Sequence, residues 1–238
     1  MRTSRNEAEL ILLDICRGLA GDVFLAEQAR LLLEELDVFG DAINRTGTGK
    51  RFFANLQIIL QHELVLSVCR LYEPYSAKNP GRSIPAAAHH IDTHAPRLRI
   101  NDWQRLGQFL GWPGTLHEPS IPAANEELSS RFVRYLADLP KADRGSSRPL
   151  DQVLILLKTV RDKAIAHHER VDSSSLLVPG WPRLAELIDL ACEVTEVLAY
   201  AYAEGGYYLK DDANQAAGSL RGLLGRAGLS VPGEPDSV

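Results

Sequence analysis

Cysteine is scarce in this 238-residue chain, and the three present, Cys16, Cys69 and Cys192, stand far apart. An odd number without paired spacing excludes a disulfide framework and the zinc clusters built on Cys-x-x-Cys pairs. All three read as small buried hydrophobes. Alternating runs of Val, Ile and Thr are equally scarce, which argues against β-sheets. No run of about 18 or more apolar residues occurs, so no membrane span is expected. The early segment LILLDICRGLAG comes nearest to a leader, but Asp14 and Arg17 interrupt it, and it reads as an amphipathic helix. Cytoplasm is the default location. An excess of basic residues is also lacking: the formal net charge is −5. Such a balance excludes a protein that coats nucleic acid through bulk electrostatics, while leaving room for a local basic pocket.

What is present is a nearly continuous helical pattern. Apolar residues recur at three- and four-residue intervals, and with 45% hydrophobic and 24% charged residues a sizeable core is affordable. The fold class is therefore all-α, with one main domain over 1–226 and a flexible C-terminal tail over 227–238. Helices are predicted at 5–20, 22–43, 50–73, 83–94, 101–111, 123–137, 147–169, 181–204 and 214–226. They are separated by breakers such as TGTG at 46–49, EPYSAKNPGR at 73–82, DRGSSRP at 143–149 and VPGWP at 178–182. Ser83 ahead of Pro85, and Ser146 or Ser147 ahead of Pro149, suit helix starts.

Two helices are apolar on most sides, which usually marks a central position in a bundle. In RFFANLQIILQHELVLSVCRLYEP, a rotation of roughly 100° per residue places Leu56, Leu60, Glu63, Ser67 and Arg70 on one stripe. Glu63 and Arg70 are thus polar groups where apolar ones are expected. They either form an internal ion-pair network or contribute to a substrate groove. In PLDQVLILLKTVRDKAIAHHE, Val153, Leu154, Leu157 and Val160 form the apolar face, and Arg161 and His168 fall in the middle of it. His167 lies at its margin, while Asp151, Lys158, Asp162 and Glu169 cluster mostly on the other side. An Arg and a His on an apolar seam are either a satisfied structural network or a site.

The arrangement resembles the signature of the HEPN superfamily: an Arg, a polar residue and, after four to six intervening residues, a His near the end of an apolar helix. Arg161, Asp162 and His167 fit with five intervening residues, and His168 fits with six. The earlier FFANLQIILQHELVLSVCRLYEP, followed by a loop and SIPAAAHHI, is similar to the helix preceding that motif in the abortive-infection, AbiU-like branch. The resemblance covers about residues 10–205. It implies an HEPN-like helical bundle with additional helices, usually homodimeric, whose paired motifs form a metal-independent endoribonuclease needing no cofactor. It further implies a toxin or phage-defence effector, RNA as substrate and an antitoxin protein as a candidate partner. By the same resemblance Arg161 clamps the phosphate, His167 is the acid or base, and Asp162 orients one of them. Family spacing favours His167, and the ideal helical wheel favours His168. The residue types suit the chemistry: imidazole titrates near pH 6.5, and guanidinium stabilises added phosphoryl charge. A catalytically silent HEPN-like module binding a partner protein or nucleotide is the alternative.

Other motifs carry less. TGTGKR lacks the first glycine of a phosphate loop, since Asn44 occupies its place, and reads as a turn. HHIDTH places His90 and His94 one helical turn apart, a zinc-compatible spacing, but Ile91 stands where a metalloprotease needs glutamate. Those histidines read as surface or supporting residues, with a place near an RNA groove as a further reading. Tyr200, Tyr202, Tyr207 and Tyr208 read as packing or dimer contacts, and Arg97, Arg99 and Arg105 form a modest positive patch.

Overall fold

The computed structural model describes residues 6–47, 49–112, 122–166, 181–203, 205–207 and 209–229. Among them are nine α-helices and no strand: α1 Glu7–Val38, α2 Gly40–Thr46, α3 Lys50–Leu71, α4 Ile84–His94, α5 Trp103–Phe109, α6 Pro122–Ala137, α7 Pro149–Val160, α8 Trp181–Tyr202 and α9 Leu209–Arg226. The all-α expectation holds.

The first helix starts on a reciprocal cap. Asn6 Oδ1 accepts the Glu9 N–H at 3.0 Å, and Glu9 Oε2 accepts the Asn6 N–H at 2.9 Å, which satisfies two donors that a helix start leaves orphaned. From there α1 runs 32 residues without a break, where the sequence suggests two helices meeting at Gly21. A glycine inside a helix costs only about 1 kcal/mol. Leu19, Ala20, Val23 and Ala26 are all buried around it, and their packing outweighs that cost. Gly18 is also needed for space, because a Cβ there would overlap the Arg82 side chain.

Helix α1 is the spine, packing against α3, α8 and α9 and touching α4. Its Leu12, Leu19 and Val23 join Leu71, Ile84, Phe132, Leu157, Leu187 and Ile188 in one core. Helix α4 starts as predicted, with Ser83 Oγ accepting the Ala86 N–H at 3.2 Å and Pro85 in the first turn. Helix α7 lies across α3 and α8.

Several expectations change. Helix α3 is buried only along its second half, through Leu60, Leu64, Val65, Val68 and Leu71, while Phe52, Ile58 and Ile59 are exposed. It is the one described helix long and apolar enough to cross a membrane by length and composition, a test that core helices also pass. Asp151, assigned to the solvated face of α7, is buried instead. It accepts the Lys141 N–H at 2.8 Å and the Ser146 hydroxyl, and these partners make its burial affordable. Leu229, assigned to the tail, is buried too. Gly228 turns the chain at φ 79°, the Leu229 N–H returns to the Leu224 carbonyl at 3.1 Å, and Leu229 packs in a second cluster with Phe39, Ile43 and Leu224. Residues 230–238 lie outside the described ones.

Candidate functional site around Arg161

The α-helical geometry of α7 ends at Val160, and Arg161–Ala166 continue as a π-helix. In this geometry N–H groups bond five residues back, the turn widens, and each residue rotates less about the axis. The ideal wheel that favours His168 over His167 assumes 3.6 residues per turn and does not extend past Val160. Both histidines lie outside the described residues. Single π-turns inside α-helices occur frequently at functional sites.

Arg161 emerges from this wide turn with its side chain 22% exposed, between core and solvent as its mid-stripe position requires. Its Nε donates to Asp162 Oδ1 at 2.9 Å, and its Nη1 donates to Glu73 Oε1 at 3.3 Å. Partial burial works against the guanidinium's charge, but the Asp162 hydrogen bond, with Cys69, Asp162 and Glu73 nearby, more than offsets it and raises its pKa. The group is a permanent cation with its fork partly engaged. A small cavity beside it is lined by Cys69, Tyr72, Glu73, Leu154, Lys158 and Arg161. Burial pushes the Cys69 thiol up to about 11, so it sits there as a neutral apolar wall and not as a nucleophile.

Glu73 belongs to the turn that follows α3. That turn is fixed from behind by Tyr72, whose hydroxyl is buried and donates to the Leu187 carbonyl of α8 at 2.6 Å. One turn earlier on α3, Arg70 Nε donates to Asp22 Oδ1 of α1 at 2.7 Å, and its Nη2 donates to Glu63 Oε1 at 3.0 Å and to Ser67 Oγ at 2.9 Å. Ser67 in turn donates to Glu63 at 2.9 Å. The stripe read from the sequence is thus a hydrogen-bonded row. Glu63 and Arg70 form the ion-pair network, and Arg70 also lines an open cleft of about 560 Å³ with Arg17, Asp22, Glu73 and Arg82. Burial, opposed by Arg70, raises the pKa of Asp22.

Glu73 therefore links two spaces: it pairs with Arg161 just past α7 and lines the cleft that holds Arg70. Sequence reasoning missed Glu73. The residue stands in the Arg-Leu-Tyr-Glu-Pro turn that carries the resemblance, but its partner is 88 residues away and no local pattern couples them.

The remaining motifs take other roles. His90 is buried and its Nε2 faces the Ala8 carbonyl at 2.8 Å, while His89 stacks on Tyr75. No group of three or more His, Cys, Asp or Glu among the described residues is placed to hold a metal. Tyr202 is a packing residue as expected, buried with its hydroxyl 3.1 Å from Ser129, and Arg105 lies over the Tyr200 ring at 3.4 Å. Tyr208 lies outside the described residues.

Comparison with known proteins adds the family. The chain matches the AbiU2 family of HEPN proteins over residues 44–222, from within α2 to within α9. It is also 33% identical over 139 residues to a formamidopyrimidine-DNA glycosylase of Xanthomonas euvesicatoria pv. vesicatoria (strain 85-10), a match covering 56% of this chain and 51% of that protein. A second glycosylase of that name, from Xanthomonas axonopodis pv. citri (strain 306), is 32% identical over 139 residues with the same coverage. The chain thus spans about half the length of the curated relatives it matches. No solved structure matches it. With an all-α bundle, an Arg161 motif closing an apolar helix, and a family match that includes both motif-bearing helices, the protein belongs to the AbiU2 family, an abortive-infection branch of the HEPN proteins.

Proposed function

We propose that this protein is a metal-independent endoribonuclease, a toxin or phage-defence effector that cuts RNA in a site shared by two subunits. The observation that carries the reading is Arg161: a permanent cation, partly buried, on a π-helical turn, paired with Glu73, which in turn lines an open cleft. A cation held where water is partly excluded stabilises developing charge better than one in bulk solvent. In the proposed reaction an imidazole, His167 or His168, takes the proton of a ribose 2′-OH. The 2′-oxygen bonds to phosphorus, the bond from phosphorus to the 5′-oxygen breaks, and that oxygen takes up a proton. The products are a 2′,3′-cyclic phosphate and a 5′-hydroxyl. Arg161 balances the extra negative charge on the phosphoryl oxygens between these states, and Asp162 holds the guanidinium's Nε.

A second copy of the chain has a surface to use. The first half of α3 leaves Phe52, Ile58 and Ile59 uncovered, on the helix whose other half packs against the Arg161 segment. Sedimentation of the full chain tests the dimer. An antitoxin protein that caps the site belongs to the same reading.

One observation favours the catalytically silent binding module: Asp162 and Glu73 already engage two of Arg161's nitrogens, as a structural network would. The parent chain, Arg161→Ala and Arg161→Ala/His167→Ala are incubated with total and transfer RNA in EDTA. Lesion-bearing duplex DNA forms a separate arm. The ribonuclease reading expects 2′,3′-cyclic ends from the parent only. Cleavage that persists in both variants removes these residues from the mechanism, cleavage by none selects the binding module, and base excision from the DNA alone selects a DNA glycosylase, as the relatives are named.

A further inference from the structure

Outside the Arg161 site, a recess of about 660 Å³ lies between α1 and α4. This is a size typical of ligand pockets. Three of the exposed large hydrophobic side chains, Leu10 at 52%, Ile11 at 45% and Tyr75 at 38%, line it together. The Tyr75 ring stacks on His89, centroids 3.9 Å apart and planes 21° off parallel, which holds the Tyr75 ring in place beside the aliphatic wall. Behind it lie two more imidazoles, His90 and His94, with ring centroids 4.6 Å apart. Burial lowers the pKa of His90, and with Nε2 donating to the Ala8 carbonyl its neutral ring offers Nδ1 as an acceptor. An apolar slot with one flat face and a few polar ring atoms suits a planar heterocycle better than a peptide or an aliphatic chain.

The recess is not isolated. Pro80, Gly81 and Arg82 line both it and the cleft that holds Arg17, Arg70 and Glu73, and Glu73 reaches Arg161. Arg82 joins the two spaces. Its Nε donates to Asp14 at 3.0 Å while the side chain stays 57% exposed and lines both spaces. A strand laid along this path would meet aromatic rings first and guanidinium groups next, which is the pairing that single-stranded nucleic acid uses.

We propose that the α1–α4 recess is a nucleobase subsite, in which Tyr75 stacks a base of single-stranded RNA whose backbone passes Arg82 toward Arg161. The subsite rests on the ribonuclease reading but can fail separately from it. The test measures binding of a labelled, uncleavable 2′-O-methyl oligonucleotide by fluorescence anisotropy, with nucleoside monophosphates as a second ligand arm. Proteins are the parent, Tyr75→Ala, Tyr75→Phe and Arg161→Ala, each checked by thermal melting, and RNA cleavage is followed alongside. Losing one stacked base is expected to weaken oligonucleotide binding about 5- to 150-fold in Tyr75→Ala, with Tyr75→Phe near the parent. Parent-like binding by Tyr75→Ala, or no binding by the parent, overturns the subsite. Tyr75-dependent binding of a mononucleotide as tight as that of the oligonucleotide assigns the recess to a free nucleotide and overturns the strand path. If Arg161→Ala cleaves like the parent while Tyr75 still governs binding, the ribonuclease assignment of Arg161 fails and the subsite stands.

Discussion

In the proposed ribonuclease reaction a phosphate would meet Arg161 where Glu73 now pairs with it, and the charge of Glu73 can be removed without deleting its acceptor oxygen. Glu73→Gln keeps an acceptor oxygen for Arg161 Nη1, now 3.3 Å from Glu73 Oε1, and deletes only the negative charge. The two side chains are 22% and 51% exposed, so the pair is largely solvent-screened and contributes about 0–1 kcal/mol. A substrate phosphate displaces it at up to that cost, which corresponds to about fivefold or less in affinity. The expected outcome is therefore a KM for RNA up to about fivefold lower in Glu73→Gln, with kcat unchanged. It should be measured near 50 mM salt, where screening of the remaining charges is weaker. If Glu73 instead carried a proton in the reaction, its loss would cost about 10²–10⁴ in rate. A fall in kcat of tenfold or more, or a KM above the parent's, refutes the argument that Glu73 is a competitor for Arg161.

Three further variants concern the frame that holds the site. Gly18→Ala gains about 1 kcal/mol of helix propensity but forces Arg82 and its loop aside, at a cost of about 1–3 kcal/mol, so urea denaturation should show a net loss. Gly21→Ala, whose Cβ meets nothing within 4 Å, should be stabilising by about 0.5–1 kcal/mol, and equal shifts for the two would sink the steric account. Asp151→Ala removes the acceptor of the Lys141 N–H and the Ser146 hydroxyl at the start of α7, and should cost about 2–3 kcal/mol in the same measurement. A loss below about 0.5 kcal/mol would mean that water replaces those bonds without penalty.

The sequence by itself determined what depends on neighbours a few residues apart. Helical periodicity gave the all-α class. Ser83 with Pro85 marked the start of α4, and a seven-residue spacing put Glu63, Ser67 and Arg70 in one row that the structure closes by hydrogen bonds. The same periodicity placed Arg161 in the middle of an apolar stripe, since a helix face is fixed by rotation per residue alone, and the structure leaves its side chain 22% exposed. Tertiary structure decided everything that needs a distant partner. Only the packing of α3 against α7 sets Glu73 beside Arg161. The Lys141 N–H, the Ser146 hydroxyl and the Arg148 guanidinium at 3.8 Å let Asp151 be buried, and side-chain packing carries α1 through Gly21. The π-helical turn at Arg161–Ala166 belongs to the same class. It changes the rotation on which every helical wheel rests, and nothing in the local spacing RDKAIA announces it, because apolar periodicity reports which face is buried and not how many residues complete the turn.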